Sequence, residues 1–547
     1  MHDRDQRLTV TRVSSAGGHV QASQAGRLLN RCGARVESLA KIRLSDRALH
    51  RLVLGAVLGA GTALRLWQIN ALGLNSDEAV YAGQAAALAG DPVLSGMFPI
   101  FRAHPLLYQS ALALVLRLGV SDLLGRLLGV AVGVATIYVV YRLGDELYGH
   151  TVGLLSAWFL ALMPYHVVVT RQILLDGPMT LFATLTLYLL ARLSKSRHPA
   201  WLYGAGAAMG LTILAKETGI VLLASIYIYL ALSPELRTRL RDVALSIACM
   251  ALIVAPFPLS LLLAGGGSAI SGRQYLIWQL FRRPNHDWDF YLTTVPEAIG
   301  PLLIAAALLG LWLLRAQNTW RERLLLAWAV VPVAYFQLWP VKGFQYLLPL
   351  APVVAVLGAR TLVRWAPQAG VGATEGRPGL VSAWALAGPV VAVSLLVASW
   401  ARVEPAPTAV FLAGSGGVAG GREAGVWVRD HVPQGGTLMT IGPSMANILQ
   451  FYGHHKAYGL SVSPNPLHRN PSYQPIHNPD LQIRNGEIQY VVWDAYSAAR
   501  SAFFSQKLRT YAQRYHGRVV HTESIDIATP GGEVISRPLI IVYQVRP

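Results

Sequence analysis

The stretch LWQINALGLNSDEAVYAGQAAALAG, residues 66–90, decides how the rest of the chain is read. An apolar segment ends at Ile69, and two adjacent carboxylates, Asp77 and Glu78, follow within ten residues. A charge next to hydrocarbon is costly, about 2.5–3.5 kcal/mol at the centre of a span, so such groups pair or serve function. The question is whether other parts of the chain bring polar groups to the same place.

Composition sets the frame. The chain has 547 residues, 53% hydrophobic and 14% charged, with a mean hydropathy of +0.41. A soluble chain carries about 25% charged residues. The apolar residues are gathered into segments, as in a polytopic membrane protein. The net charge of +18 does not mark a nucleic-acid binder. Residues 401–547 hold thirteen basic and nine acidic side chains, so most of the excess lies between the apolar segments, where orientation signals sit. Cys32 and Cys249 form neither a disulfide framework nor a thiolate metal site. Residues 1–45 are polar and basic, lack an apolar core, and read as a disordered cytoplasmic tail.

About eleven spans are predicted, near 50–69, 122–141, 151–168, 174–192, 199–215, 218–233, 241–263, 298–315, 322–339, 344–363 and 380–400. No internal repeat is apparent. The loops sort by charge: KIRLSDRALHR (41–51), ARLSKSRH (191–198), ELRTRLRD (235–242), RAQNTWRERL (315–324) and RTLVRWAP (360–367) are basic. With the first span running outward, all of them fall on the cytoplasmic side, as the positive-inside bias requires. This places the N-terminus inside and residues 401–547 outside, in a multi-pass protein of the cell membrane.

Two opposite loops are long. Segment 70–121 holds two weakly amphipathic stretches, 76–89 and 104–118, suited to the interface. Segment 264–297 is rich in aromatics and carries Arg282, Arg283, His286, Asp287 and Asp289. Residues 401–547 change character. EIQYVVWDA and PLIIVYQV read as strands, with helical AARSAFFSQKLRTYAQRYHG between them, so a small soluble α/β domain is predicted. GSGGVAGGREAG (414–425) reads as a linker near its start. The fold class is therefore a polytopic all-α membrane domain over 46–400 with a C-terminal soluble α/β domain.

On the outer side lie Asp77, Glu78, Arg102, His104, Arg171, Asp176, Lys216, Glu217, Lys342 and Tyr346, from five connections or span ends. Together they suggest a polar cavity at the outer leaflet. A carboxylate there can take the proton of an attacking hydroxyl. Cations, or a divalent metal held by carboxylates, can neutralise a departing phosphate. A lipid-borne substrate would enter sideways from the bilayer.

Five motifs resemble one family in order. NSDEAVYAGQAAAL (75–88) is similar to the acidic motif of the GT-C glycosyltransferases of the protein-mannosyltransferase and lipid A aminoarabinose-transferase group. FRAHPLLYQSA (101–111), RQILLDGPMT (171–180), GLTILAKETG (210–219) and KGFQYLLPLAP (342–352) resemble its later motifs, and the resemblance covers residues 50–363. It implies a GT-C fold and a hexosyl- or pentosyltransferase. Such an enzyme takes a sugar from a polyprenyl-phosphate carrier to a lipid, glycan or protein acceptor, with inversion. By position Asp77 is then the general base, and Glu78 orients it or contacts substrate. Asp176 is the second acid, positioning the acceptor or sharing a divalent metal with Asp77. His104, Lys216 and Lys342 are expected near the carrier phosphate. Gln345-Tyr346 departs from the family's Arg-Tyr, and no β-trefoil repeats support a protein acceptor.

Structural roles compete at each position. Ser76 or Asp77 can cap the following helix, and Glu78 suits its first turn. Asp176 can cap the fourth span ahead of Pro178, and His104 before Pro105 can open a helix. Lys216 can snorkel, and Arg102 and Arg171 can anchor lipid headgroups. His454 and His455 read as a surface loop, and the glycines at 265–267 as a flexible one. The competing function is a transporter or flippase of a lipid-linked substrate, which would place charges at the bilayer midplane in duplicated halves.

Overall fold

The computed structural model of the protein describes residues 46–99, 105–236, 238–263, 273–275, 277–365, 378–405, 417–528 and 533–546. The predicted tail 1–45, Arg102, His104, the glycines 265–267 and the first residues of the predicted linker lie outside these. Residues up to Ala56 and those from Val57 onward form two compact units. Of the first, only the opening of the helix Asp46–Leu66 is described.

Each segment read as a span is helical. After Asp46–Leu66 comes Asp122–Tyr148, then a pair, His150–Leu162 and Pro164–Thr170, bent by 61°. Proline disfavours helical backbone just before it, and Met163 is extended there. Asp176–Ser196, Ala200–Ala215 and Leu222–Ala231 follow, the last entered through a 3-10 turn at Glu217–Val221. Leu240–Val254 and Pro256–Leu263 bend by 43°, and Phe290–Ile299 turns by 98° into Pro301–Leu313. Trp320–Leu338, Leu350–Trp365 and Pro378–Val403 complete the set. Among the described residues, three helices are long and apolar enough to cross a membrane, or six if each bent pair is one span. Three shorter apolar helices lie alongside. Leu252, Leu308, Val330 and Val393 are exposed, as side chains facing lipid would be.

Close approach between spans is built on glycine. A Cβ on Gly129 would stand 2.7 Å from the Gln172 carbonyl, so the second span packs directly on the turn that precedes Asp176.

The long segment after the first span folds into helices Ser76–Ala89, Pro92–Met97 and Leu107–Leu116. The first is capped by Asn75, not by Ser76 or Asp77: the Asn75 side chain accepts from Asp77 N at 2.9 Å and Glu78 N at 3.0 Å. Capping therefore does not use the Asp77 carboxylate.

The C-terminal region forms a five-stranded mixed sheet. Its strands are β1 (Leu438–Thr440), β2 (Ala457–Gly459), β3 (Tyr490–Asp494), β4 (Arg518–Ala528) and β5 (Val534–Gln544), in the order β2-β1-β3-β5-β4. β1 lies parallel to β2 and β3, and β5 is antiparallel to β3 and β4. Alternation in YVVWD explains the layers, because successive strand residues face opposite sides. Tyr490 and Val492 join one apolar cluster, and Val491 and Trp493 another with Leu508 and Tyr511. The first cluster also contains Leu74, Ala82, Phe98 and Leu112. The sheet domain and the helices that follow the first span thus share one core.

A polar clamp reinforces that junction. Arg422 reaches Asp122 at 2.7 and 3.0 Å, and Tyr452 donates to Asp122 at 2.5 Å while accepting from Leu74 N at 2.7 Å. Gly417, expected to be linker, packs against the Gly73 carbonyl, 2.0 Å from where a Cβ would stand. His455 is buried between the Gly453 and Pro433 carbonyls rather than in an exposed loop.

At the end of β3, Asp494 is buried and caps the helix Ala495–Arg500 by accepting from Ser497 N at 2.6 Å. Its Oδ2 has no hydrogen-bond partner among the described residues. Burial raises this carboxyl to about 6 from 3.8. Between those values the folded protein holds more protons than the unfolded chain, so stability is expected to fall as pH rises from 4 to 6 and to level off above. The full change is about 3 kcal/mol at about 1.4 kcal/mol per unit. Thermal unfolding of the full chain across this range should show it, and Asp494→Asn should flatten the profile.

Candidate active site

The frame of the site is a buried ion pair that sequence reading did not single out. Arg126, inside the second span, meets Glu78 through Nε–Oε1 at 2.9 Å and Nη2–Oε2 at 2.8 Å. Its remaining donors go to the carbonyls of Ile69, Leu72 and Gly73 at 2.7, 2.8 and 2.9 Å. Glu78 also accepts from Asn75 N and Ile173 N, each at 3.1 Å. One carboxylate and one guanidinium thus tie together the end of the first span, the start of Ser76–Ala89, the second span and the turn before Asp176. Both are fully buried. Of the two expectations for Glu78, orienting Asp77 or contacting substrate, the geometry favours the first: its oxygens are engaged with protein partners that fix the turn carrying Asp77.

Asp77, half-buried on that turn, faces a second cluster. Lys216 Nζ binds both oxygens of Asp176, at 2.7 and 2.9 Å, with both side chains buried. The same Nζ stands 4.8 Å from the ring centre of Tyr346. Backbone geometry makes this possible. The helix Ala200–Ala215 ends at Lys216 in an extended conformation, throwing its side chain back toward the first turn of Asp176–Ser196. Asp77 and Glu217 both lie within electrostatic reach of Asp176. Tyr81, one turn on from Asp77, lies within reach of Asp77, Asp176, Tyr275 and Glu217 together. Five sequence-predicted residues, Asp77, Asp176, Lys216, Glu217 and Tyr346, therefore converge.

The sheet domain closes over them. Tyr473 and Tyr496 both lie within electrostatic reach of Asp77. Burial, with the Asp77 carboxylate adding to it, pushes the Tyr473 phenol up to about 12, so it stays a proton donor. Arg282, from the long segment before Phe290–Ile299, lies within electrostatic reach of both Tyr346 and Tyr473. It stacks on Trp278 at 4.5 Å and bonds only Gln279 among the described residues, at 3.3 Å.

Two further predicted residues stand apart from this cluster's contacts. The Arg171 guanidinium binds the carbonyls of Trp67 and Val403, at the ends of Asp46–Leu66 and Pro378–Val403. Lys342 is buried. Its Nζ lies near the carbonyls of Gln337 and Trp339 at 3.3 and 3.4 Å and over the rings of Trp288 and Tyr291. Both are cations placed at helix C-termini, where the dipole favours positive charge. Arg102 and His104 lie outside the described residues. For a metal, no group of three or more His, Cys, Asp or Glu side chains is suitably arranged among the described residues. Lys216 already occupies both oxygens of Asp176, so the donor set does not fit one.

A family model described as Dolichyl-phosphate-mannose-protein mannosyltransferase matches residues 103–261. No curated protein matches the sequence. Among solved structures, the fold is similar to ArnT from Cupriavidus metallidurans bound to undecaprenyl phosphate, with a TM-score of 0.64 and 15% identity, over 91% of this chain and 98% of that one. It is also similar to the Archaeoglobus fulgidus oligosaccharyltransferase in complex with Zn and sulfate, with a TM-score of 0.57 and 14% identity, over 88% of this chain and 72% of that one. The same archaeal protein, AglB, in complex with an inhibitory peptide and a dolichol-phosphate, gives 0.53 and 14%, over 90% and 74%. At such identities the likeness is one of fold alone.

Proposed function

We infer that the chain is a membrane glycosyltransferase that moves a sugar from a polyprenyl-phosphate carrier to an acceptor hydroxyl, with inversion. The observation that carries this reading is the convergence of Asp77 with the Asp176–Lys216 pair, Tyr346 and Arg282 in one place. The lipid phosphates named with ArnT and AglB support the donor class. The sugar and the acceptor are left open by the residues that line the site. By the distribution of basic loops, the N-terminus is cytoplasmic and the sheet domain extracytoplasmic.

Asp77 takes the proton of the acceptor hydroxyl as its oxygen attacks the anomeric carbon. The bond from that carbon to the phosphate oxygen breaks, and its electron pair leaves with the carrier phosphate. Arg282 and Lys216 offset the negative charge that develops there. Tyr473 and Tyr346 supply hydroxyl donors. Asp176 holds Lys216 ionised and pointed inward where a lone ammonium would be costly. The transporter alternative finds no support in this fold.

No step is routed through a metal. We expect a chelator to change the transfer rate of the purified protein less than twofold. A large loss restored by one divalent ion would show that Asp77 and Asp176 release Lys216 and hold a metal instead. The reading itself is tested by supplying polyprenyl-phosphate sugars and following the glycosyl–phosphate bond, which a transporter would leave intact.

A further inference from the structure

The sheet domain meets the helices that follow the first span along a cleft of about 160 Å³. One wall is formed by Ser76–Ala89 and the residues after Pro92–Met97, the other by the helix Pro443–Gly453, β2 and the segment 472–474. Four amides line it, Gln84, Asn447, Gln450 and Gln474, together with the phenols of Tyr458 and Tyr473. An amide donates and accepts at once, which suits the paired hydroxyls of a sugar, and aromatic rings suit the apolar faces of its ring. Among the described residues, Lys456 is the one charged side chain lining the cleft, too little for a polyanion, and the amides are out of place for a lipid tail.

Position joins this cleft to the reaction. Asn447 donates to Ser76 Oγ at 3.1 Å, immediately before Asp77 in the chain. Tyr473 lies on the same wall as Asn447 and within electrostatic reach of Asp77. A molecule seated along the cleft would therefore present its end toward the proposed base.

We propose that the cleft between the helices that follow the first span and the sheet domain is the acceptor site, and that the acceptor is a neutral, hydroxyl-rich glycan. This rests on the glycosyltransferase reading, and its test separates the two. Gln450→Trp fills the cleft from the sheet-domain side, and Gln474→Ala removes one exposed amide without adding bulk. Each full-length variant is given a labelled polyprenyl-phosphate sugar with and without membrane glycan extracted from the producing cells. Transfer to glycan and release of sugar to water are measured side by side. Gln450→Trp should lower transfer to glycan at least tenfold and leave release to water within twofold. Gln474→Ala should raise the KM for glycan several-fold with little change in kcat. Transfer at the wild-type rate with the cleft filled, or label appearing on protein and not on glycan, overturns the proposal. So does an equal fall in both reactions for Gln474→Ala. Absence of both reactions in the wild-type protein would instead reject the glycosyltransferase reading.

Discussion

Asp77→Asn is expected to lower the rate of sugar transfer by about 10²–10⁴-fold, the usual contribution of a positioned general base. Binding of the carrier should change little, because the amide keeps the shape of the side chain and the cap of Ser76–Ala89 belongs to Asn75. The loss should appear in kcat with the KM for the donor nearly constant, as for a group that acts only in the transition state. Steady-state transfer from a labelled carrier measures both. The same substitution at Asp176 should behave differently. It leaves the buried Lys216 without its counter-ion, so carrier binding should change together with turnover. A full-rate Asp77→Asn enzyme would reject the base assignment.

Arg126→Lys is expected to destabilise the protein by about 3–5 kcal/mol, although it conserves charge. A lysine has a single nitrogen where arginine offers a fork. It cannot pair both Glu78 oxygens and also reach the carbonyls of Ile69, Leu72 and Gly73. Any of these left alone in a buried place carries a desolvation cost. Glu78→Gln should cost a similar amount by stranding the guanidinium. The effects should be strongly non-additive in the double variant, since both act on one network. Thermal unfolding in detergent reads the stability. Activity measured well below the unfolding temperature should fall as well, because the turn that carries Asp77 would loosen.

Much of this was legible in the sequence, and the failures have physical causes. The spans were readable because lipid-facing helices need long apolar runs, and their bends fall at Pro164, Pro256 and Pro301. In the sheet domain, EIQYVVWDA and PLIIVYQV announced β3 and β5 by their branched and aromatic residues. RVVHTESIDIA, which forms β4, was passed over because it pairs only with β5 at the sheet edge and carries charged and polar residues there. Acids and bases at span ends were recognisable from their cost near hydrocarbon. Their division into working and framework groups was not. Glu78 and Arg171 look as functional in sequence as Asp77, and only their partners reveal that they hold the scaffold. Arg126 carries a signal of its own, since a lone arginine in an apolar run needs a buried counter-charge, but several acids stand nearer in sequence than Glu78. Tyr473 and Tyr496 could not be found, because nothing local in the sheet domain tells which of its loops lies over Asp77.

The most direct test replaces Asp77 and Glu217 singly with cysteine in a chain lacking Cys32 and Cys249. An impermeant thiol reagent is then applied to right-side-out and to inverted membrane vesicles. Both positions should react only in right-side-out vesicles, and a bound carrier lipid should protect both. If one residue reacts from the outside and the other from the inside, the acids do not share a chamber and the proposed centre cannot exist.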